Sequence, residues 1–588
     1  MSIMKNTFKN RKIWTAVAVM LLLYACSDSF LEVPATGTLN QELLSTGPGL
    51  EASLIAVYSQ VNGRANRMAS PSNWVWGSIR GGEANKGTDP GDFSDINPIQ
   101  RYEALSTQGV VSDKYNGNYE GVARANATMR LLQLAPEETS AQLAQKVRVQ
   151  SQVRFLRAHF YFELKRGFNN TPYLDESVDV EGAGVATGIE KVTNEADLWP
   201  KIEADMLYAY QNLPKTQAEV GRVNKWAAAA YLAKIYMYQK KFTQAKVLYD
   251  SIMLYGRTSN NKKYALVAKF ADVFKASNDN NEESIWAYQA AAGTGSINNA
   301  NPEFDLNWPY NTGADGPGNC CSFFQPTFEL ANSFRTAAGL PLLDGSYNSD
   351  ANQLKTDMGL ETKDAFTPDT GPLDPRIDHS IGRRGIPYLD WMDFPGKAWI
   401  RNQPNAGPYQ TKKFVYYKSD KGTLQDNSSW TPGYTAINFP IIRFADVLLM
   451  AAEAEIEVGS LTTALDYVNQ VRRRAANPAS FVTKGASPAA NYVISEYAAF
   501  PDKTFATNAV RFERKLELSG EGHRFYDLVR WGIAEQVINA YLTYEAPKLP
   551  LGALSGAKFT SNQDELLPLP QNQIDLLGPT VLKQNPGF

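Results

Sequence analysis

Apolar positions recur at helical spacing over long stretches of this chain. Val149, Val153, Leu156, Phe160 and Leu164 lie four, three, four and four residues apart, which makes one stripe on a helix running to about Arg166. Leu198 to Leu213 reads as another helix, stopped by Pro214. In KWAAAAYLAKIYMYQKKFTQAKVLYDSIM, Trp226, Ala230, Ala233 and Met237 share a face, and Phe242, Ala245, Leu248, Tyr249 and Ile252 line the next helix after a Lys-Lys turn. Alanines on a helix face let a second helix approach closely, so the unit predicts an antiparallel hairpin of the tetratricopeptide kind. IIRFADVLLMAAEAEIEVGSLTTALDYVNQVRRRA predicts a second hairpin. Phe444, Val447, Leu448, Ala451 and Val458 form one stripe, and Leu461, Ala464, Leu465, Val468 and Val471 the other. Gly459 between them reads as a helix C-cap at positive φ. A further pair is expected within Phe512 to Ala534.

The texture changes between these hairpins. From about Ala290 to Thr435 the chain is rich in Gly, Pro, Asn and Asp with few periodic runs, and MASPSNWVWGSIRGGEANKGTDPGDF near the N-terminus is similar. Turn formers at this density predict loop-built structure on a helical scaffold, where binding sites concentrate. The expected organisation is therefore mainly α: residues 26–289 with helical repeats, a loop-rich ligand-binding subdomain over 290–435, and C-terminal repeats over 436–588, all one body.

The first residues give an address. Lys5, Lys9, Arg11 and Lys12 precede an apolar stretch from Ile13 to Leu23, the form of a signal peptide and too short to span a bilayer. Leu23-Tyr24-Ala25-Cys26 resembles a lipobox, so residues 1–25 are expected to be removed and Cys26 acylated. Two or three acyl chains would hold the protein on a membrane without a spanning helix. Cys320 and Cys321 are adjacent and read as two loop thiols. His159, His379 and His523 are far apart, so no zinc spacing exists, and no cofactor is expected. Asp344 to Asp350 groups oxygen ligands but lacks the calcium-loop spacing, and reads as a solvated turn.

The net charge of −3 offers nothing to neutralise a run of phosphates, and Arg472–Arg474 reads as the lining of a helix. No Walker loop, GxSxG elbow or HExxH occurs, and 61 acidic residues single out no glycosidase pair, so the chain does not read as an enzyme.

Several stretches together carry a resemblance. They are CSDSFLEVP after the lipobox, RFLRAHFYFELKRGFNNTPYL, the Trp226 unit, QPTFELANSF, FPIIRFADVLLMAAEAEIEVG, ERKLELSGEGHRFYDLVRWG and LLPLPQNQIDLLGPTVLKQNPGF. In this order they resemble the SusD/RagB-like lipoproteins, a family that binds glycans at the surface of Gram-negative bacteria. The resemblance implies about four tetratricopeptide-like pairs beside an irregular subdomain. It also implies an outer-membrane TonB-dependent transporter barrel as partner, to which a captured oligosaccharide or polysaccharide is delivered. Asp28 and Glu32 after the anchor resemble a surface-export signal, and read equally well as ordinary polar residues. The competing reading is an interaction protein that binds peptide or glycoprotein, or assembles a transporter, without glycan affinity.

A sugar presents C–H groups on its face and hydroxyls at its rim, so flat aromatic rings with nearby Asn, Gln, Asp or Arg suit it. Exposed aromatics on Gly/Asn-rich loops are the expected stackers: Trp74 and Trp76, Trp308 and Tyr310, Trp391 and Trp399. Trp74 and Trp76, two apart, would face one side of an extended segment. Asn73, Arg80, Asn307, Asn311 and Arg401 are the polar candidates. Trp199, Trp226, Trp286 and Trp531 sit in helix or strand patterns and read as structural.

Overall fold

The computed structural model describes residues 41–63, 68–178, 192–296, 299–301, 303–318, 320–427 and 433–588. The predicted signal peptide, Cys26, Asp28 and Glu32 lie outside the described residues.

The fold is mainly α. Its long helices are α1 (Gly47–Ser59), α2 (Gly109–Leu134), α3 (Ser140–Phe168), α4 (Trp199–Asn212), α5 (Lys225–Tyr238) and α6 (Phe242–Tyr255). After the irregular region come α7 (Phe444–Val458), α8 (Leu461–Ala475), α9 (Lys503–Glu517), α10 (Arg524–Arg530) and α11 (Ala534–Glu545). Chain neighbours pack on each other, α2 on α3, α3 on α4, α5 on α6 and α7 on α8, while α4–α5, α6–α7 and α7–α9 contacts join these units into one stack. None of the described helices is long and apolar enough to cross a membrane.

Local sequence explains the boundaries. Thr139 and Gln142 form a capping box at the start of α3. The Asn224 side chain accepts from the amides of Trp226 and Ala227 at 3.1 and 2.9 Å, starting α5. Ala227 to Ala230 are all fully buried, as close helix approach requires. Gly459 ends α7 differently from the expected positive φ: its φ is −133°. A Cβ there would stand 1.9 Å from the Glu455 carboxylate, which folds back to accept the Ser460 amide at 2.8 Å. Glycine is needed for space, not for handedness. Val458, placed on the core stripe by spacing, is 46% exposed at the helix end.

Strands are short and pair only in twos among the described residues. β1 (Ala84–Lys86) runs antiparallel to β3 (Phe324–Pro326), tying the N-terminal loop to the irregular region. β2 (Ser284–Tyr288) pairs antiparallel with β4 (Phe439–Arg443), so the irregular stretch leaves and rejoins the scaffold at one ladder.

Behind that ladder lies a buried ionic network. Arg443 reaches Glu283, Glu517 and Glu521 at 2.7, 2.6 and 2.7 Å. Arg472 holds Glu513 at 2.8 Å, and Arg474 pairs with Glu283 and Glu517. Arg376 joins Asp374 and Glu513 at 2.7 and 2.6 Å, and Lys413 joins Glu521 at 2.7 Å. Five cations face five carboxylates, so the cluster is neutral. It bolts α8 and α9 to the ladder and to the irregular region. The arginine run therefore lines a helix, as its sequence setting predicts, with Arg473 alone outside and paired to Glu496 at 2.8 Å.

Buried titratable groups set a pH profile. Burial depresses His159 and His379 to about 4 and His523 to about 3. These imidazoles are neutral in the fold, so the unfolded chain binds more protons below pH 6.5 and stability falls with pH there. Burial raises Glu83 and Glu545 to about 7, Asp279 to about 8 and Asp357 to about 6, which has the opposite sign over the same range. Below about pH 4.5 those carboxyls are protonated in both states and stop opposing. Glu163 and Glu517, which burial alone would raise, are held low by their basic partners, Arg166 and Lys114 for Glu163 and Arg474, Arg443 and Arg376 for Glu517. Stability should thus vary little from about pH 5 to 7 and drop steeply below about pH 4.5. Urea midpoints measured across that range test this, and a monotonic loss beginning at pH 7 would contradict it.

Candidate functional site

Most aromatic rings expected on the loop surface are buried. Trp74, Trp76 and Trp308 are 4%, 1% and 1% exposed, and Trp391 and Trp399 are also buried. Trp74 to Ile79 form a π-helical turn, not an extended segment, so the two rings do not share a face. The turn is held against its surroundings: a Cβ on Gly77 would stand 1.9 Å from the Gly522 carbonyl oxygen. Three of the enclosed indole N–H groups donate to main-chain oxygens: Trp76 to Met68 at 2.7 Å, Trp308 to Phe414 at 3.1 Å, and Trp391 to Tyr416 at 3.2 Å. Without long helices of its own, the irregular region uses these rings as its core. Trp308 and Trp391 both pack on Tyr416, and Trp399 packs on Tyr388 and Phe394.

The polar candidates divide likewise. Asn73 is buried, donating to Glu163 at 3.2 Å and accepting from Lys114 at 2.7 Å. Arg80 is buried with its guanidinium 4.0 Å over the Phe525 ring and donates to the Asp564 and Leu566 carbonyls. Asn307 is buried too. Tyr310, Asn311 and Arg401 reach the surface. The Arg401 guanidinium lies 5.4 Å over the Tyr310 ring and binds Asp89 and Asp92, each at 2.6 Å. The Tyr310 amide donates to the Trp399 carbonyl at 2.9 Å. This small patch joins the N-terminal loop to the irregular region. Cys320 and Cys321 nearby are joined in a disulfide, where the sequence reading expected thiols.

A larger cleft, about 460 Å³, opens where α1 meets the end of β2. Tyr58 of α1, Arg222 before α5, Tyr288 and Gln289 at the end of β2, and Asn299 line it. Each is set in place by ordinary forces. The Tyr58 hydroxyl donates to Gln152 at 2.8 Å and accepts from the Val223 amide at 3.1 Å, and burial keeps the phenol neutral by pushing its pKa up. The Arg222 guanidinium covers the Tyr58 ring at 5.4 Å and is fixed by Glu51 and Glu219. Gln289 exchanges two hydrogen bonds with Asn280, at 2.9 and 3.1 Å, and accepts from Asn438 at 3.1 Å. A Cβ on Gly221 would meet the Gln289 side chain at 2.6 Å, so glycine there lets the amide lie across the wall. Aromatic surface, amides and a guanidinium thus stand together in one concavity.

Comparison with known proteins places this architecture. Residues 282–588 match the SusD family, and residues 65–237 match a family described as starch-binding and associating with the outer membrane. The chain belongs to the SusD family. A SusD-like protein of Formosa agariphila is 26% identical over 590 residues, covering 98% of this chain and 99% of its own. Among solved structures, a laminarin-binding SusD-like protein superposes with a TM-score of 0.62 at 24% identity, covering 92% of this chain and 99% of its own. Surface glycan-binding protein A from Bacteroides thetaiotaomicron, solved with laminarihexaose, gives 0.60 at 20% identity with the same coverages.

In this SusD-family chain the sequence reading passed over Tyr58, Arg222, Gln289 and Asn299. Tyr58 lies in a helix, where nothing in the sequence separates it from a ring that packs in the core. Gln289 and Asn299 bracket the start of the Gly/Asn-rich stretch, and that change of texture was their one available signal.

Proposed function

We propose that this SusD-family protein is a binding protein, not a catalyst, that captures an oligosaccharide at the bacterial surface in the cleft of Tyr58, Arg222, Tyr288, Gln289 and Asn299. In this reading Cys26 carries the lipid anchor on the outer membrane. The captured glycan passes to a TonB-dependent transporter barrel. The cleft is the observation that carries the proposal: at about 460 Å³ it lies within the roughly 300–1,000 Å³ of small-molecule sites. Its half-buried Tyr58 ring matches the apolar face of a pyranose, with the enclosed Tyr288 forming the wall behind, and Gln289, Asn299 and Arg222 match its hydroxyls. A structural neighbour that binds laminarin and another solved with laminarihexaose make these glucans the first ligands to try. The Tyr310–Asn311–Arg401 patch is a second, smaller candidate surface.

The test is calorimetry with a panel of soluble glucans, mannans, xylans and pectins, using protein expressed from Ser27. Replacing both Gln289 and Asn299 with Ala should weaken binding at least about tenfold, since each lost hydrogen bond costs about 0.5–1.5 kcal/mol. The melting temperature should fall by only a few degrees. An unchanged affinity, with loss on Tyr310→Ala instead, would move the site to the Arg401 patch. Silence across the panel would reject glycan capture. Separately, Cys26→Ala should release the protein from the detergent phase into the aqueous phase, and retention in the detergent phase would exclude the anchor.

A further inference from the structure

On the helical scaffold, away from the cleft, an arginine stands outside any ion pair among the described residues. Arg511 of α9 is half-buried, and its guanidinium lies 5.0 Å over the Trp531 ring. No ion pair or hydrogen bond engages that guanidinium among the described residues. It borders a cavity of about 270 Å³ formed where α5, α6, α7, α9 and α10 meet.

The carboxylates nearby are already committed. Glu453 takes both Arg530 nitrogens at 2.6 and 2.7 Å and the Trp531 indole N–H at 3.0 Å. Glu457 pairs with Lys503 at 2.6 Å. Lys240, exposed at the mouth in the turn between α5 and α6, has no ion pair among the described residues either. Both carboxylates act on Arg511 through space, but the lining sets Lys240, Arg511 and Arg530 against Glu453 and Glu457 and so keeps one cation in excess. A half-buried guanidinium loses hydration, and burial accordingly lowers the Arg511 pKa. An incoming anion recovers that loss through charge-assisted, bidentate hydrogen bonds.

The rest of the lining decides which anion. Met237 and Ile456 are buried at the cavity, and Phe242 is half-buried beside them. Of the side chains that read sugar hydroxyls, Asn, Gln and Asp are absent from the lining, and of its two arginines Arg530 is taken up by Glu453. The Thr507 hydroxyl donates back to the Lys503 carbonyl at 2.8 Å, so its proton is taken. The Trp531 ring is covered by two guanidiniums, Arg511 at 5.0 Å and Arg530 at 4.9 Å, which leaves poor access for a pyranose. Beside the charged residues, Met237, Phe242, Ile456 and Trp531 give the cavity one apolar side, which suits a peptide, its carboxylate on Arg511 and an apolar side chain against Phe242 and Ile456.

We propose that this cavity is a second binding site, for the carboxylate of a peptide segment of a partner protein, with Arg511 as the anchoring cation and Lys240 at its mouth. The site is independent of the glycan cleft. The experiment uses calorimetry with two mixtures of N-acetylated hexapeptides, one ending in Leu, Val or Phe as free acids and one identical but C-terminally amidated. A third mixture, amidated but with an internal Glu beside Leu, separates side-chain from terminal carboxylates. Glucuronic acid is the sugar-acid probe. Either carboxylate mixture should bind at least tenfold more tightly than the plain amides, and Arg511→Ala should abolish the difference. Arg511→Ala should lower the melting temperature by only a few degrees, because it removes a cation–π contact on Trp531 but no ion pair, and should leave glycan affinity untouched. Equal binding of acids and amides, no binding of either carboxylate mixture, a preference for glucuronic acid, or indifference to Arg511→Ala would each overturn the proposal. The glycan reading stands or falls separately on the Gln289 and Asn299 variant.

Discussion

Arg443→Ala is expected to lower the unfolding free energy by about 3–5 kcal/mol, the cost of removing one partner from a buried ion pair. Arg443 is 1% exposed and satisfies Glu283, Glu517 and Glu521 together, with the Glu517 carbonyl as a fourth acceptor at 2.8 Å. Deleting it leaves five buried carboxylates facing the four remaining cations of a network that was neutral, and removes the direct link from β4 to the end of α9. The loss should show as an earlier urea midpoint, with β2 and β4 the first amides to gain hydrogen exchange. Arg473→Ala is the internal control. Its pair with Glu496 is exposed on both sides, and such pairs contribute between nothing and about 1 kcal/mol. If the two variants unfold at the same denaturant concentration, the network does not hold the irregular region to the helical stack.

The contrast between these neighbouring arginines marks where sequence stops being legible. The helix carrying Arg472, Arg473 and Arg474 could be read from its period, and so could the fact that the run lines a helix. Its partners could not, since Glu513 and Glu517 lie some forty residues on and Glu283 lies beyond the whole irregular region. Helical hairpins are local objects, so α5–α6 and α7–α8 emerge close to where spacing put them. Gly459 fell outside this rule because its need came from a side chain folding back, which no propensity records. The binding surface was least legible. Loop texture predicts exposed rings, yet Trp74, Trp76, Trp308, Trp391 and Trp399 are enclosed, while Trp199 and Trp531 at helix ends pack against the core as their patterns predict and stay partly exposed. A terminal helical turn points its side chain past the last packing partner, and an irregular region must find its core among its own large residues.

That inversion makes Trp308→Ala the sharpest test of the irregular region. The ring is 1% exposed, lies 4.9 Å from Tyr416, and meets Gly433 so closely that a Cβ there would come within 2.4 Å of it. Truncation leaves a cavity and strips the Phe414 carbonyl of its 3.1 Å donor, for a loss of about 3–5 kcal/mol by comparison with other buried aromatics. The expected outcome is a melting temperature lowered by many degrees, together with loss of native near-ultraviolet signal from the Trp391–Tyr416 pair. Tyr310→Ala, at a half-buried ring stacked under Arg401, should cost far less stability. Any weakening of glycan binding by Trp308→Ala should then track the unfolded fraction and disappear when the variant is assayed cold. A Trp308→Ala protein that melts like the parent yet no longer binds would mean that the ring itself meets ligand, and would move the binding site from the Tyr58 cleft into the heart of the irregular region.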